Sequence, residues 1–293
     1  MIIDSHAHYA HFKFGAEFPY VCENVGTPEL HRSDREGLFA EMRKNNIVGV
    51  IEPSIGFDAI ESQGRLAEKN KAFVKLAVGV HPTRCIRTDF KLRKRLLGYA
   101  ERYRAIAIGE TGLDYHYPRS LQHRLRQKLW FVYQIKLAHR LSLPLVLHIR
   151  DADEDALKLL GRYKKYLHGG VAHCFTGEST LAKKYIDLGF AIGIGGKILN
   201  GDDEAEAICD AVKHVPLASL LVETDAPLVI PEDHKDLCRG NCRKKLCNSS
   251  LILPSVIRKI ASVRTESCDT VENAIFENTL RVFGINFDGE GTT

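Results

Sequence analysis

Two histidines one residue apart, His6 and His8, follow the apolar run Met1-Ile2-Ile3 and an aspartate, Asp4, at the amino terminus. Side chains alternate along a strand, so a strand here puts Asp4, His6 and His8 on one face. Two imidazoles held side by side are ready ligands for a divalent cation. A His-x-His pair alone is a weak signal, and a chance pair on a loop is its ordinary alternative. The same placement recurs along the chain. Glu110 lies in Ile108-Gly109-Glu110-Thr111-Gly112-Leu113-Asp114 and His148 in Leu147-His148-Ile149-Arg150-Asp151. His173 lies in Ala172-His173-Cys174-Phe175, and Asp225 in Val222-Glu223-Thr224-Asp225-Ala226-Pro227. Polar groups leaving apolar runs are costly unless paired, and a metal centre satisfies them together. Any one of them could be a hydrogen-bonded core residue; all of them in equivalent places point to metal-assisted hydrolysis.

The runs that carry these residues alternate with amphipathic ones. Short apolar runs at 1–3, 48–51, 76–80, 105–108, 145–147, 170–172, 191–194 and 220–222 predict strands. Several are continuously apolar, as expected of strands buried on both faces of a parallel sheet. Helical patterns fill 35–44, 59–70, 91–102, 122–140, 153–163, 179–188 and 203–213, and two more close the chain at 253–261 and 270–283. That is the order of a (β/α)₈ TIM barrel, whose active sites sit at the carboxyl ends of the strands. A doubly wound open sheet is the alternative, weakened because no Gly-rich phosphate loop follows the first strand. The expectation is one domain over 1–287, a Cys-containing loop at 230–250 inserted after the eighth strand, and a flexible tail at 288–293. Residues 9–31 read as a long connection rich in aromatics.

Bulk properties narrow the class without choosing the chemistry. A formal net charge of +4 over 293 residues does not by itself announce a nucleic-acid binder. The basic runs 91–95 and 243–245 read as solvated faces. No apolar run approaches the ~20 residues of a membrane span, and no signal-peptide pattern opens the chain. The expected location is cytoplasmic, with no membrane association and the cysteines as thiols or metal ligands rather than disulfides.

Taken together, His6-Ala7-His8, Gly79-Val80-His81-Pro82, Gly109 to Asp114, Leu147 to Ala152, His173 to Gly177 and Glu223 to Pro227 resemble the TatD family of metal-dependent deoxyribonucleases. The resemblance runs from residue 1 to about Pro227 and resumes at Leu253. It implies two divalent cations, Mg²⁺, Mn²⁺ or Zn²⁺. His6 and His8 match ligands of one, His148 and His173 ligands of the other, Glu110 a carboxylate shared by both, and Asp225 the remaining ligand. It also places Asp225 beside the nucleophilic water, where it is a candidate general base; simple ligation is the alternative role. The activity implied is phosphodiester hydrolysis, an exonuclease trimming single-stranded DNA or RNA. Protein partners are not indicated.

Further candidates carry less signal. His81, His116 and Arg150 follow strand ends and could contact substrate phosphate, though His81 could equally be structural. Asp4 could orient a ligand histidine, and Lys197 could meet substrate or be solvated. His234, Cys238, Cys242 and Cys247 could close an additional structural Zn²⁺ site, with plain thiols as the alternative. Here the chain departs from the family pattern, with Cys247-Asn248-Ser249-Ser250 where members commonly carry Arg-Asn-Glu-Pro. The other enzymatic reading is a small-molecule amidohydrolase or phosphotriesterase-like hydrolase. Glu110, where that wider group often uses a carbamylated lysine, argues against it. A scaffold protein without catalysis is disfavoured by the intact ligand set.

Overall fold

The computed structural model describes residues 1–24, 27–116 and 120–287; the expected tail at 288–293 lies outside them. The apolar runs become strands: β1 (Ile2–Asp4), β2 (Phe18–Asn24), β3 (Thr27–Ser33), β4 (Ile47–Pro53) and β5 (Val74–Val78). β6 (Ala107–Asp114), β7 (Leu145–Arg150), β8 (Gly170–Ala172), β9 (Phe190–Ile194) and β10 (Leu220–Val222) follow. Apart from β2 and β3, the strands form one eight-stranded sheet ordered as they occur in the chain. The neighbours are parallel. Sequential order without a reversal is the (β/α)₈ barrel and excludes the doubly wound sheet, which needs a switch point.

Some helices begin at a short polar side chain that caps them. α1 (Arg35–Lys44) starts at Asp34, whose carboxylate accepts from the Gly37 N–H at 2.8 Å. α2 (Ile60–Lys69), α3 (Arg93–Arg102) and α4 (Leu121–Leu141) come next, the last capped by Ser120. α5 (Asp153–Arg162), α6 (Ser179–Ile186), α7 (Asp203–His214), a short α8 (Asn241–Lys245), α9 (Leu253–Arg264) and α10 (Cys268–Phe283) complete the set. Among the described residues no helix is long and apolar enough to cross a membrane.

The contacts group into two compact units. The first comprises Met1–Ile51, Cys174–Lys183 and Gly193–Thr279. In it β1 lies between β4 and β10: Asp4 pairs with Val50, and the Ser5 N–H donates to Val222 O at 3.0 Å. The expected irregular connection at 9–31 is instead largely a hairpin. β2 and β3 pair antiparallel from Phe18 opposite Ser33 to Asn24 opposite Thr27. Its aromatics explain why it folds back: Tyr9, Phe14, Phe18 and Tyr20 are buried, with successive rings 4.8, 4.9 and 5.8 Å apart.

The second unit comprises Glu52–His173, Lys184–Ile192 and the chain from Leu280. β6 is buried at every residue and pairs with β5 and β7. Two buried glutamines of α4, seven residues apart and so on one face, fasten the strand ends. Gln127 accepts from the Asp114 N–H at 2.9 Å and donates to Asp114 O at 2.8 Å. Gln134 accepts from the Val80 N–H at 2.7 Å and donates to the Thr111 hydroxyl at 2.7 Å. The expected fourth strand at 105–108 is longer than its apolar run, because Gly109 to Asp114 continues it.

Candidate metal centre

β1 delivers His6 and His8, and the turn after β10 delivers Asp225, all within the first unit. The Nε2 atoms of His6 and His8 are 3.3 Å apart. Asp225 Oδ1 is 3.2 Å from His8 Nε2 and 3.7 Å from His6 Nε2. Ligands ~2.1 Å from one cation lie about 3.0–3.4 Å from each other in octahedral or tetrahedral arrangements, so this donor set fits a divalent ion. Asp225 has a left-handed backbone, φ 54°, a conformation that aspartate tolerates better than most residues. Its N–H donates to His6 O at 2.9 Å, which holds the carboxylate beside the imidazoles.

Asp4, fully buried, braces this turn. Its Oδ1 accepts from the backbone N–H groups of His6 and Thr224, each at 3.1 Å. Its Oδ2 accepts from the Thr224 hydroxyl at 2.6 Å and the Ser250 hydroxyl at 2.7 Å. Burial pushes its carboxyl up to about 6, against these hydrogen bonds, which pull it down.

The second unit holds the other candidates. Glu110, 2% exposed, has Oε2 3.1 Å from His81 Nε2 and 3.9 Å from His148 Nδ1. His148 Nδ1 lies 3.0 Å from His173 Nε2. Two imidazole nitrogens at that separation repel unless a proton or cation lies between them. His148 Nε2 is 3.1 Å from Asp114 Oδ2. An ionised carboxylate only accepts, so His148 Nε2–H donates to Asp114 and Nδ1 keeps its lone pair, the usual way a metal-binding histidine is oriented. Close packing supports Glu110: a Cβ on Gly79 would come 2.6 Å from Gly109 C and 2.8 Å from Glu110 O.

Asp114 and Glu223 are the residues that sequence reading passed over. Both stand in quoted motifs, and Asp114 has the same strand parity as Glu110, the signal that could have found it. Glu223 accepts from the Cys174 N–H and fills the space where a side chain on Gly193 would sit, 2.2 Å from Glu223 Oε2. Of the expected substrate residues, His81 stands against Glu110, its Nδ1 2.7 Å from the Thr83 hydroxyl. His116 pairs with Asp151 at 3.0 Å on the exposed side, and Arg150 ends β7 exposed. Lys197 pairs with Glu204 at 3.0 Å.

The expected zinc site of His234, Cys238, Cys242 and Cys247 is not what the structure builds. Cys238 and Cys242 are joined by a disulfide, which also corrects the expectation of thiols. Cys247 Sγ faces Lys245 O at 3.5 Å, and His234 is taken up by carboxylates. Among the described residues no candidate metal-holding group includes any of the four. The physical reason is the loop's apolar underside: Cys238, Leu246, Val21 and Ile252 pack together, and Cys242 joins them. His234 Nε2 is 2.7 Å from Glu23 Oε1 and Nδ1 is 2.9 Å from Asp233 Oδ1. Burial opposes charge on His234, but the two carboxylates outweigh it and raise its pKa above 6.5. This stabilisation is complete below the unfolded value near 6.5 and fades as pH rises through the raised one. A His234→Gln variant is therefore expected to melt below the parent by the widest margin near pH ~5.5, the gap narrowing above neutrality. A gap independent of pH in differential scanning fluorimetry would contradict the ion pair.

Residues 3–284 match the model of a family described as TatD related DNase. A 3'-5' ssDNA/RNA exonuclease TatD from Pantoea ananatis is 30% identical over 255 residues, spanning 86% of this chain and 94% of that protein. An uncharacterized metal-dependent hydrolase, YabD of Bacillus subtilis, is 28% identical over 291 residues, 98% of this chain and all of that one. Among solved structures, the TatD homologue YJJV of Escherichia coli superposes with a TM-score of 0.77 at 26% identity, covering 97% and 98% of the two chains. With the barrel and its histidine and carboxylate clusters, these matches make the chain a member of the TatD related DNase family of metal-dependent hydrolases.

Proposed function

We propose that the protein is an exonuclease for single-stranded DNA or RNA, using one cation on His6, His8 and Asp225 and a second on Glu110, His148 and His173. The observation that carries this reading is the close set of donor atoms, 3.2 to 3.7 Å between Asp225 and the two amino-terminal histidines. The name of the Pantoea relative supplies the substrate class. Divalent cations held there would acidify a bound water and stabilise charge growing on a phosphoryl oxygen. The chain's own groups do the positioning. Asp4 and Thr224 lock the turn that presents Asp225, and Asp114 fixes the ring of His148 with Nδ1 available. Asp225, 3.2 to 3.7 Å from the two histidines, would besides ligating take a proton from the attacking water. His81 Nε2, 3.1 Å from Glu110 Oε2, helps hold that carboxylate in place.

The test is incubation of the purified protein with end-labelled single-stranded DNA and RNA, each with Mg²⁺ or Mn²⁺. Stepwise shortening that chelator stops and added metal restores is the expected result. No cleavage of either polymer, alongside turnover of a small amide or ester, would transfer the assignment to the amidohydrolase class.

A further inference from the structure

Away from the barrel ligands, one cluster combines sulfur, nitrogen and oxygen donors. The ligand atoms of Cys22, His31 and Glu41 all lie within 4.8 Å of one another. The hairpin builds this cluster by register. Cys22 stands opposite Glu29 and Tyr20 opposite His31, so these four share one face of the two-stranded ribbon. α1 brings Glu41 to that face. His31 Nδ1 is 2.9 Å from Glu41 Oε1, its Nε2 is 3.1 Å from Glu29 Oε2, and the Tyr20 hydroxyl donates to Glu41 Oε2.

We infer that Cys22, His31 and Glu41, with Glu29 beside them, form a structural zinc site that clamps the β2–β3 hairpin to α1. Sulfur, imidazole and carboxylate together suit a borderline-soft ion and not magnesium or calcium. Charge is conserved in the exchange. With a thiol, an imidazolium and two carboxylates the metal-free cluster carries −1. With a thiolate, a neutral imidazole, two carboxylates and Zn²⁺ it again carries −1, two protons having left to solvent. Burial first, then the charges of Glu41 and Glu29, push the Cys22 thiol up to about 12. Cation binding therefore displaces its proton and weakens steeply in acid. Cys22 is buried, whereas His31 and Glu29 are partly exposed, which leaves an entry path from solvent. The clamp reaches further than the hairpin. The Val21 N–H donates to Cys247 O at 3.0 Å, and the Ser249 hydroxyl donates to Val21 O at 2.5 Å. Immobilising the ribbon thereby immobilises the segment that carries Ser250.

The test uses the full-length protein, stripped with chelator and titrated with Co²⁺ as a spectroscopic substitute for zinc. A thiolate-to-cobalt charge-transfer band that rises to saturation with the intensity of a single sulfur ligand is expected. It should vanish in Cys22→Ser, and weaken at least about tenfold in affinity in His31→Gln and Glu41→Gln, as loss of a ligand or its support does. The band should survive in the His6→Ala/His8→Ala variant, whose lost ligands contain no sulfur. It should also survive when Cys174, Cys238, Cys242 and Cys247 are replaced together by serine. Zn²⁺ should raise the Tm of the parent by more than that of Cys22→Ser, in which only the barrel donors still bind the ion. A parent without the band, or a Cys22→Ser protein that keeps it, overturns the proposal. If Cys22→Ser does not fold, His31→Gln and Glu41→Gln at parental affinity overturn it equally. None of these readouts depends on nuclease activity, so the two readings fail separately.

Discussion

Replacing Glu110 by alanine is expected to lower kcat/KM on a single-stranded oligonucleotide by roughly a thousandfold or more, about 4 kcal/mol of transition-state stabilisation at ~1.4 kcal/mol per decade. Glu110 is nearly inaccessible, yet its carboxylate lies among imidazoles and not among apolar side chains. A buried anion in such company is the donor that the proposed cation site calls for. Without it, His81 and His148 lose the negative charge that faces them, and a divalent ion there meets imidazole alone. The measurement is steady-state turnover at saturating Mn²⁺, with circular dichroism confirming the fold. Turnover within about tenfold of the parent would sink the assignment of Glu110 as a ligand.

The second large effect belongs to Asp225→Asn, which keeps shape and removes charge. Cation affinity should fall, and kcat on the oligonucleotide should drop roughly 100- to 1,000-fold, the range that general-base and electrostatic contributions span. The two roles open to Asp225 part at high metal. If it only ligates, saturating Mn²⁺ restores kcat toward the parent. If it also takes the water's proton, kcat stays low once the site is filled, and its acid-side pH limb disappears. Parental cation affinity together with parental kcat would remove Asp225 from the site.

Much of this was legible because the barrel repeats itself. Each strand end reads as an apolar run that turns polar, and the same transition marks His6, Glu110, His148, His173 and Asp225. The order of runs also carried the topology, since parallel strands need helices between them. Three things did not show. The hairpin was hidden because Phe18 to Cys22 has no polar alternation: both faces of β2 are covered, so its period-2 pattern vanishes. The true length of β6 was hidden by two glycines and a threonine inside it, residues that ordinarily signal a turn. The pairing of Cys238 with Cys242 was obscured by an adjacent histidine and a third cysteine, which in sequence look like one ligand set. Their separation is a matter of what packs beneath the loop, and spacing carries no record of that.

Asp4 has a consequence for how such a sequence can change over generations. One carboxylate accepts four hydrogen bonds, two of them from hydroxyls 220 and 246 positions away. Ser250 is in turn held by the Tyr9 hydroxyl, which accepts from its N–H at 2.9 Å. Removing any single partner leaves buried polar atoms unsatisfied, at about 1–3 kcal/mol each. Drift at Asp4, Tyr9, Thr224 and Ser250 is therefore epistatic: single replacements are penalised, and a concerted exchange must still supply acceptors for the buried N–H groups of His6, Thr224 and Ser250. In a pairwise mutational scan these four positions should emerge as one coupled block, although as many as 246 positions separate them.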